Sequence, residues 1–261
     1  MQNRLDELFK RKDRQLLSIY LTAGFPRIDS TVPLIRSLEE AGADFLEVGF
    51  PFSDPLADGP VIQETSSIAI RNGMNLRLLL GQLAGARNGI SIPLILMGYL
   101  NPVLQMGMGT FCRKTEESGV SGVIIPDLPP EEYRDKYREL FNRHKLHMIF
   151  LVTPGTTVER IRMLDNLGSG FIYAVSASST TGRQESFSRE QEQYLEKLGS
   201  LDLGNPVMTG FGIHNRNTLE TVWKHTSGAI IGTAYLKALK EAGSPDEAAR
   251  SLFGRLGVAS R

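Results

Sequence analysis

The sequence predicts an α/β protein built as a single closed (β/α)8 TIM barrel with an additional N-terminal helix. Three observations carry that reading. Short apolar runs recur eight times, at residues 16–22, 44–49, 92–97, 121–125, 146–151, 170–175, 206–209 and 228–231. Several lack the alternation of a half-wet strand, which suits parallel strands covered on their outer side by helices. Polar segments of helical character separate the runs without a Ser/Pro-rich linker, so one domain over residues 1–261 is expected. A doubly wound open sheet is the competing architecture. It carries a Gly-x-Gly-x-x-Gly run directly after an early strand, and this chain has none.

Each element follows from local pattern. Residues 1–14 contain a short amphipathic helix with Leu5, Leu8 and Phe9 on one side, expected to cover the bottom of the barrel. In 29–41, Val32, Ile35 and Leu38 repeat at helical spacing before Gly42 stops the segment. Further helices are expected at 61–71, 75–87, 104–118, 131–142, 157–167, 188–199, 215–224 and 234–240. A last one, at 245–256, follows the start signal Gly243-Ser244-Pro245.

Composition narrows the function. The 29 Lys and Arg balance 29 Asp and Glu, which argues against a basic nucleic-acid binder or an acidic disordered tail. A single cysteine, Cys112, excludes an intramolecular disulfide framework and a multi-cysteine metal cluster. No stretch reaches the roughly 18 apolar residues of a membrane span, and the N-terminus does not read as a signal peptide. A cytoplasmic, soluble protein is expected.

Active sites of barrels lie at the C-terminal ends of the strands, so the loops after each run hold the chemistry. The second run leads into Glu47-Val48-Gly49-Phe50-Pro51-Phe52-Ser53-Asp54-Pro55-Leu56-Ala57-Asp58-Gly59-Pro60. Alternation turns Phe45, Glu47 and Gly49 inward and leaves Leu46 and Val48 to the helices. A glutamate in that interior is costly to ionise, which raises its pKa and suits it to acid–base work. Asp58 lies at the far end of a proline-rich loop that can fold back opposite Glu47. Two readings of Asp58 stand together here, a second catalytic carboxylate or the N-cap of helix 61–71.

Three later segments offer backbone amides to an anion. Thr181 and Gly182 follow the sixth run, Gly210, Phe211 and Gly212 the seventh, and Gly232 and Thr233 the eighth, where a helix opens. Small residues let backbone approach a ligand, and helix starts present unpaired N–H groups. A phosphate-bearing small molecule is the expected ligand, with residues 177–190 as a polar lid. Tyr173 turns inward beside Glu47, while Tyr20, Met97, Tyr99 and Phe211 can line a flat apolar pocket. The histidines form no metal-ligand motif, and none of the lysines considered sits at the mouth to form an imine.

Together these residues resemble the tryptophan synthase alpha chain family over essentially the whole sequence. The most specific part is Glu47 followed by Pro51 to Pro60. Leu21-Thr22-Ala23-Gly24-Phe25-Pro26, Asp127-Leu128-Pro129 and Gly210-Phe211-Gly212 match the first, fourth and seventh loops. The resemblance implies reversible retro-aldol cleavage of indole-3-glycerol phosphate to indole and glyceraldehyde 3-phosphate. It implies Glu47 as principal acid–base group, Asp58 as partner of the indole N–H and Tyr173 as support for the glutamate. Tyr20, Met97 and Phe211 would enclose the indole, and the glycine loops the phosphate.

It further implies no cofactor in this subunit, and a pyridoxal-phosphate beta subunit as partner in a linear α–β–β–α heterotetramer that passes indole through a tunnel. The segment 50–60 and the loop from Asp127 resemble the docking and signalling surfaces. The chain departs from the family at Ala177, where many members carry arginine, and at Thr233, where many carry serine. Indole-3-glycerol phosphate synthase and a histidine-pathway isomerase fit poorly, because the first expects lysines at strand ends and the second an aspartate near the end of strand one, where this chain has Thr22-Ala23-Gly24. A catalytically silent subunit that only activates its partner is the alternative from another class.

Overall fold

In a computed structural model, described for residues 2–55, 58–175 and 186–258, the eight runs form one parallel sheet. The strands are β1 Leu16–Thr22, β2 Phe45–Gly49, β3 Leu94–Met97, β4 Gly122–Ile124, β5, β6 Ile172–Val175, β7 Val207–Gly210 and β8 Gly228–Ile231. Strand β5 comes in two pieces, His147–Met148 and Phe150–Val152. The first pairs with β4 and the second with β6. Ile149, between them, still donates its N–H to Val123. Because β1 pairs with both β2 and β8, the order runs round a nearly closed barrel.

Alternation along the strands sorts the core into two layers. Outward residues such as Ile19, Leu46, Val48 and Leu96 join the inward helix residues Leu34 and Leu38 in the larger cluster. Inward residues form a second cluster, with Phe45, Ile95, Ile124, Phe171, Tyr173 and Met208 among its members. The helix α1, Arg4–Arg11, adds Leu5 and Leu8 to this inner cluster. Phe9 sets its ring edge-on to Phe45 and Phe171, both at 6.4 Å, where those strands begin. Asn3 starts the helix with a capping box, its side chain and that of Asp6 satisfying each other's backbone N–H.

Helix positions follow the sequence with local differences. The expected helix 104–118 starts earlier and is broken: Leu100–Met106 and Met108–Glu117 meet at Gly107, whose φ of +82° a helix cannot carry. The helical segment from Pro130 to Arg143 widens into a π turn at Tyr133–Tyr137. Helix Arg189–Ser200 begins at a capping box of Ser188 and Gln191, so 188–190 belong to a helix start instead of a lid. Residues 177–185 of the expected lid lie outside the described residues. No described helix is long and apolar enough to cross a membrane.

Candidate active site

Glu47 stands in the middle of β2, between Tyr20 of β1 and Ile95 of β3 at the same level. It is fully buried, and among the described residues neither carboxylate oxygen has a hydrogen-bond partner. Burial alone drives its pKa up to about 8. An ionised carboxylate left without partners in an apolar interior is costly, so the group holds its proton at neutral pH.

Asp58 reaches the same space from the loop after β2. Helix Pro60–Arg71 opens with Gly59 at its N-cap and receives no side-chain cap. That removes the capping reading of Asp58 and leaves its carboxylate for the barrel mouth. Gln63 instead ties down the Asp58 carbonyl at 2.8 Å. Desolvation lifts the Asp58 pKa to about 6, against the opposing pull of a hydrogen bond from Tyr99. At pH 7 the two acids therefore differ in state, Glu47 mostly protonated and Asp58 mostly ionised.

Tyrosines surround the pair. Tyr20, Tyr99 and Tyr173 are all buried. The carboxylates Glu47 and Asp58 help hold the Tyr20 and Tyr173 phenols protonated, beyond what burial alone does. Two glycines at strand ends make room for the rings. A Cβ on Gly49 would lie 2.1 Å from the Tyr20 hydroxyl, and one on Gly210 would lie 2.2 Å from that of Tyr173. Gly210 is thus the last residue of β7 and not part of the following turn, and its missing side chain is the slot for Tyr173. Tyr173 is near Glu47 but does not hydrogen-bond it. Sequence reasoning missed the role of Gly49. The available signal was a strand-end glycine paired across the ladder with an aromatic strand.

The elements expected to offer amides to an anion lie on the neighbouring loops. Phe211 and Gly212 both adopt positive φ, +74° and +76°. An aromatic residue in that region is strained, a feature that gathers at functional sites. Gly232 caps helix Thr233–Glu241 without any side-chain cap. Leu236 is the first to bond back, to the Gly232 carbonyl, so the first-turn amides that include Thr233 face past the helix start. Met97, half-buried, ends β3 beside Gly49. Thr181, Gly182 and Ala177 lie outside the described residues.

The opposite end of the barrel is built differently. A cavity of about 560 Å³ there is lined by Asp6, Phe9, His147, Ser169 and Gly204, and it contains neither mouth carboxylate. His147 is held by Ser169 and lies 3.1 Å from Asp6. Among the described residues no three His, Cys, Asp or Glu gather as a metal-ligand set.

The model of the tryptophan synthase alpha chain matches residues 7–254. The chain belongs to the tryptophan synthase alpha chain family. The alpha chain of Parabacteroides distasonis is 47% identical over 254 residues, covering 97% of this chain and 99% of that one. That of Flavobacterium johnsoniae is 49% identical over 234 residues, covering 90% and 92%. Among solved structures, tryptophan synthase subunit alpha from Legionella pneumophila superposes with a TM-score of 0.86 at 32% identity, covering 98% and 97%. A Mycobacterium tuberculosis tryptophan synthase structure gives the same TM-score, identity and coverage. Family membership extends over the parts of this alpha chain that position Glu47 and Asp58.

Proposed function

We propose that Glu47 and Asp58 divide the acid–base work of indole-3-glycerol phosphate cleavage, the reaction of the tryptophan synthase alpha subunit, between a proton donor and a fixed negative charge. What supports this is their placement: Glu47 is fully buried and unpartnered among the described residues on the inner face of β2, with its pKa pushed up to about 8, while Asp58 takes a hydrogen bond from Tyr99 and lies lower, at about 6. Indole is a poor carbanion leaving group until its C3 is protonated. Protonated Glu47 supplies that proton, and the ring becomes an indolenine with positive charge at nitrogen. Ionised Asp58 accepts the N–H and stabilises that charge as it develops. The Glu47 carboxylate then takes the proton of the hydroxyl beside the breaking bond. The C–C electron pair returns to the ring, indole and glyceraldehyde 3-phosphate form, and Glu47 ends protonated as it began.

The remaining groups bind and shape. Tyr20, Met97, Tyr99 and Phe211 enclose the indole, and Tyr173 borders Glu47 from its slot on β7. Backbone amides around Gly210, Gly212, Gly232 and Thr233, with Thr181 and Gly182, hold the phosphate. The chain functions as one barrel unit with residues 1–14 covering its bottom, in the cytoplasm. Its partner is a pyridoxal-phosphate beta subunit in a linear α–β–β–α heterotetramer, which receives the indole; this subunit itself uses no cofactor.

The test is indole release from indole-3-glycerol phosphate by the purified chain, with and without the beta subunit. Release that the partner stimulates, and a fall of ~10²–10³-fold in Asp58→Asn, are expected. Binding of substrate without release in either condition would instead support a subunit that only activates its partner.

A further inference from the structure

Asp58 sits on a loop, yet its role in the proposed reaction needs its carboxylate held in one place and kept ionised. Three contacts show what holds it. The Tyr99 hydroxyl donates to the Asp58 carboxylate. The Tyr99 ring lies against Phe52 of the same loop, with centroids 5.3 Å apart and planes tilted by 30°. Next to it, Phe50 covers Gly98 so closely that a Cβ there would stand 2.3 Å from its ring. Residues 50, 52 and 58 are therefore all seated on the pair Gly98–Tyr99.

What fixes Tyr99 comes from a third loop. Tyr99 is the N-cap of the helix Leu100–Met106, seven residues long, and its side chain does not cap it. A helix of two turns has few internal bonds to fix its first turn. The missing cap is supplied from outside. Asp127, in the loop after β4, accepts the Leu100 N–H through Oδ1 at 2.9 Å. A carboxylate at a helix start also complements the exposed amides there.

We infer that Asp127 is a positioning residue for Asp58: it anchors the backbone at Leu100, which aims the Tyr99 hydroxyl at the Asp58 carboxylate and seats the loop that carries it. The inference rests on the reading of Asp58 as the group facing the indole nitrogen. It joins the loops after β2, β3 and β4 into one mechanical unit. A displacement of the β4 loop is thereby felt at the catalytic carboxylate.

The groups facing Asp58 are Tyr20, Glu47, Tyr99 and Tyr173. Burial holds the Tyr20 and Tyr173 phenols neutral, and Glu47 titrates near 8, so an acidic limb near 6 reports Asp58. The test compares Asp127→Ala, Asp127→Asn, Tyr99→Phe and the double variant Tyr99→Phe/Asp127→Ala in the full chain. Two readouts are used, the pH dependence of kcat/KM for indole cleavage and an NMR titration of the Asp58 carboxyl, which needs no turnover.

Asp127→Ala and Tyr99→Phe should each lower kcat/KM about tenfold and move the Asp58 titration upward by about half to one pH unit, since each removes the donor from the ionised form. The double variant should be no worse than either single one. Asp127→Asn keeps an acceptor and should restore most of the rate. An unmoved Asp58 titration in Tyr99→Phe, or losses that multiply in the double variant, would overturn the inference. Should Asp127→Ala fail to fold, Tyr99→Phe and Asp127→Asn still decide the matter, because an Asp58 titration unmoved in Tyr99→Phe overturns it alone. Absence of indole release from the unmodified chain would count against the proposed reaction alone, because the NMR titration still decides the role of Asp127.

Discussion

Two acids on the approach to and along β2 are both buried, and they meet opposite fates. Asp44, just before the strand, accepts the Leu17 N–H at 2.8 Å and the Lys12 ammonium at 2.7 Å. Glu47, three residues on, is more deeply buried and accepts nothing from the described residues. The same division runs round the barrel. At the end where strands begin, Asp165 accepts two N–H groups from Gly204 and Asn205. At the end where they finish, Phe211 holds strained backbone, and the helix after Gly232 starts without a side-chain cap. At the first end the buried carboxylates Asp44 and Asp165 are satisfied and support the fold. At the other, Glu47 is left without a partner among the described residues, which costs stability and suits the acid–base role proposed for it.

The largest expected effect breaks the reactive side of this contrast. Glu47→Gln should lower kcat by ~10³-fold or more, since it removes the proton donor of the proposed step. The same change should stabilise the fold at alkaline pH. Burial raises the Glu47 pKa from 4.5 to about 8, so the folded chain retains a proton that the unfolded chain releases. Stability therefore falls as pH rises from about 4.5 and levels off beyond about 8. Thermal melts should show Glu47→Gln equal to the parent near pH 4 and more stable at pH 8.5. A variant that is less stable at pH 8.5 would contradict the uncompensated carboxylate.

Asp44→Ala tests the other side. It strands the Leu17 N–H and the Lys12 ammonium, and chemical denaturation should show a loss of about 2–4 kcal/mol. The pH–rate limbs should stay where they are, because Asp44 does not face the mouth. If the limbs move, the two ends are coupled more closely than the division implies.

A finer effect lies in the pH dependence of the intact enzyme. In the proposed mechanism, turnover needs Asp58 ionised and Glu47 protonated. kcat/KM should thus rise through about pH 6 and fall through about pH 8, giving a bell. The limbs of a coupled pair belong to the pair, so assignment comes from the variants: Asp58→Asn should remove the acidic limb. Loss of the alkaline limb in that variant, with the acidic limb kept, would reverse the two roles.

The sequence by itself determined the barrel and the place of its chemistry. Eight apolar runs, helical spacing between them and period-two alternation required Phe45 and Glu47 to face inward, because a parallel strand under helices has only two sides. The run from Phe50 to Pro60 marked the loop. Helix starts at Ser244 and Gly232 were legible from local turn and glycine signals. What sequence left open was every question of which group meets which. Whether Asp58 caps a helix or faces the mouth depended on Gly59 taking the cap position. The fit of Tyr20 over Gly49 and Tyr173 over Gly210 depended on barrel register. The tie from Asp127 to Leu100 joins residues 27 apart, and no local pattern encodes it. Periodicity reports which side of an element is buried. Partners across the barrel are selected by closure of the sheet, which brings distant residues to one level and decides which polar atoms are satisfied and which are left for the reaction.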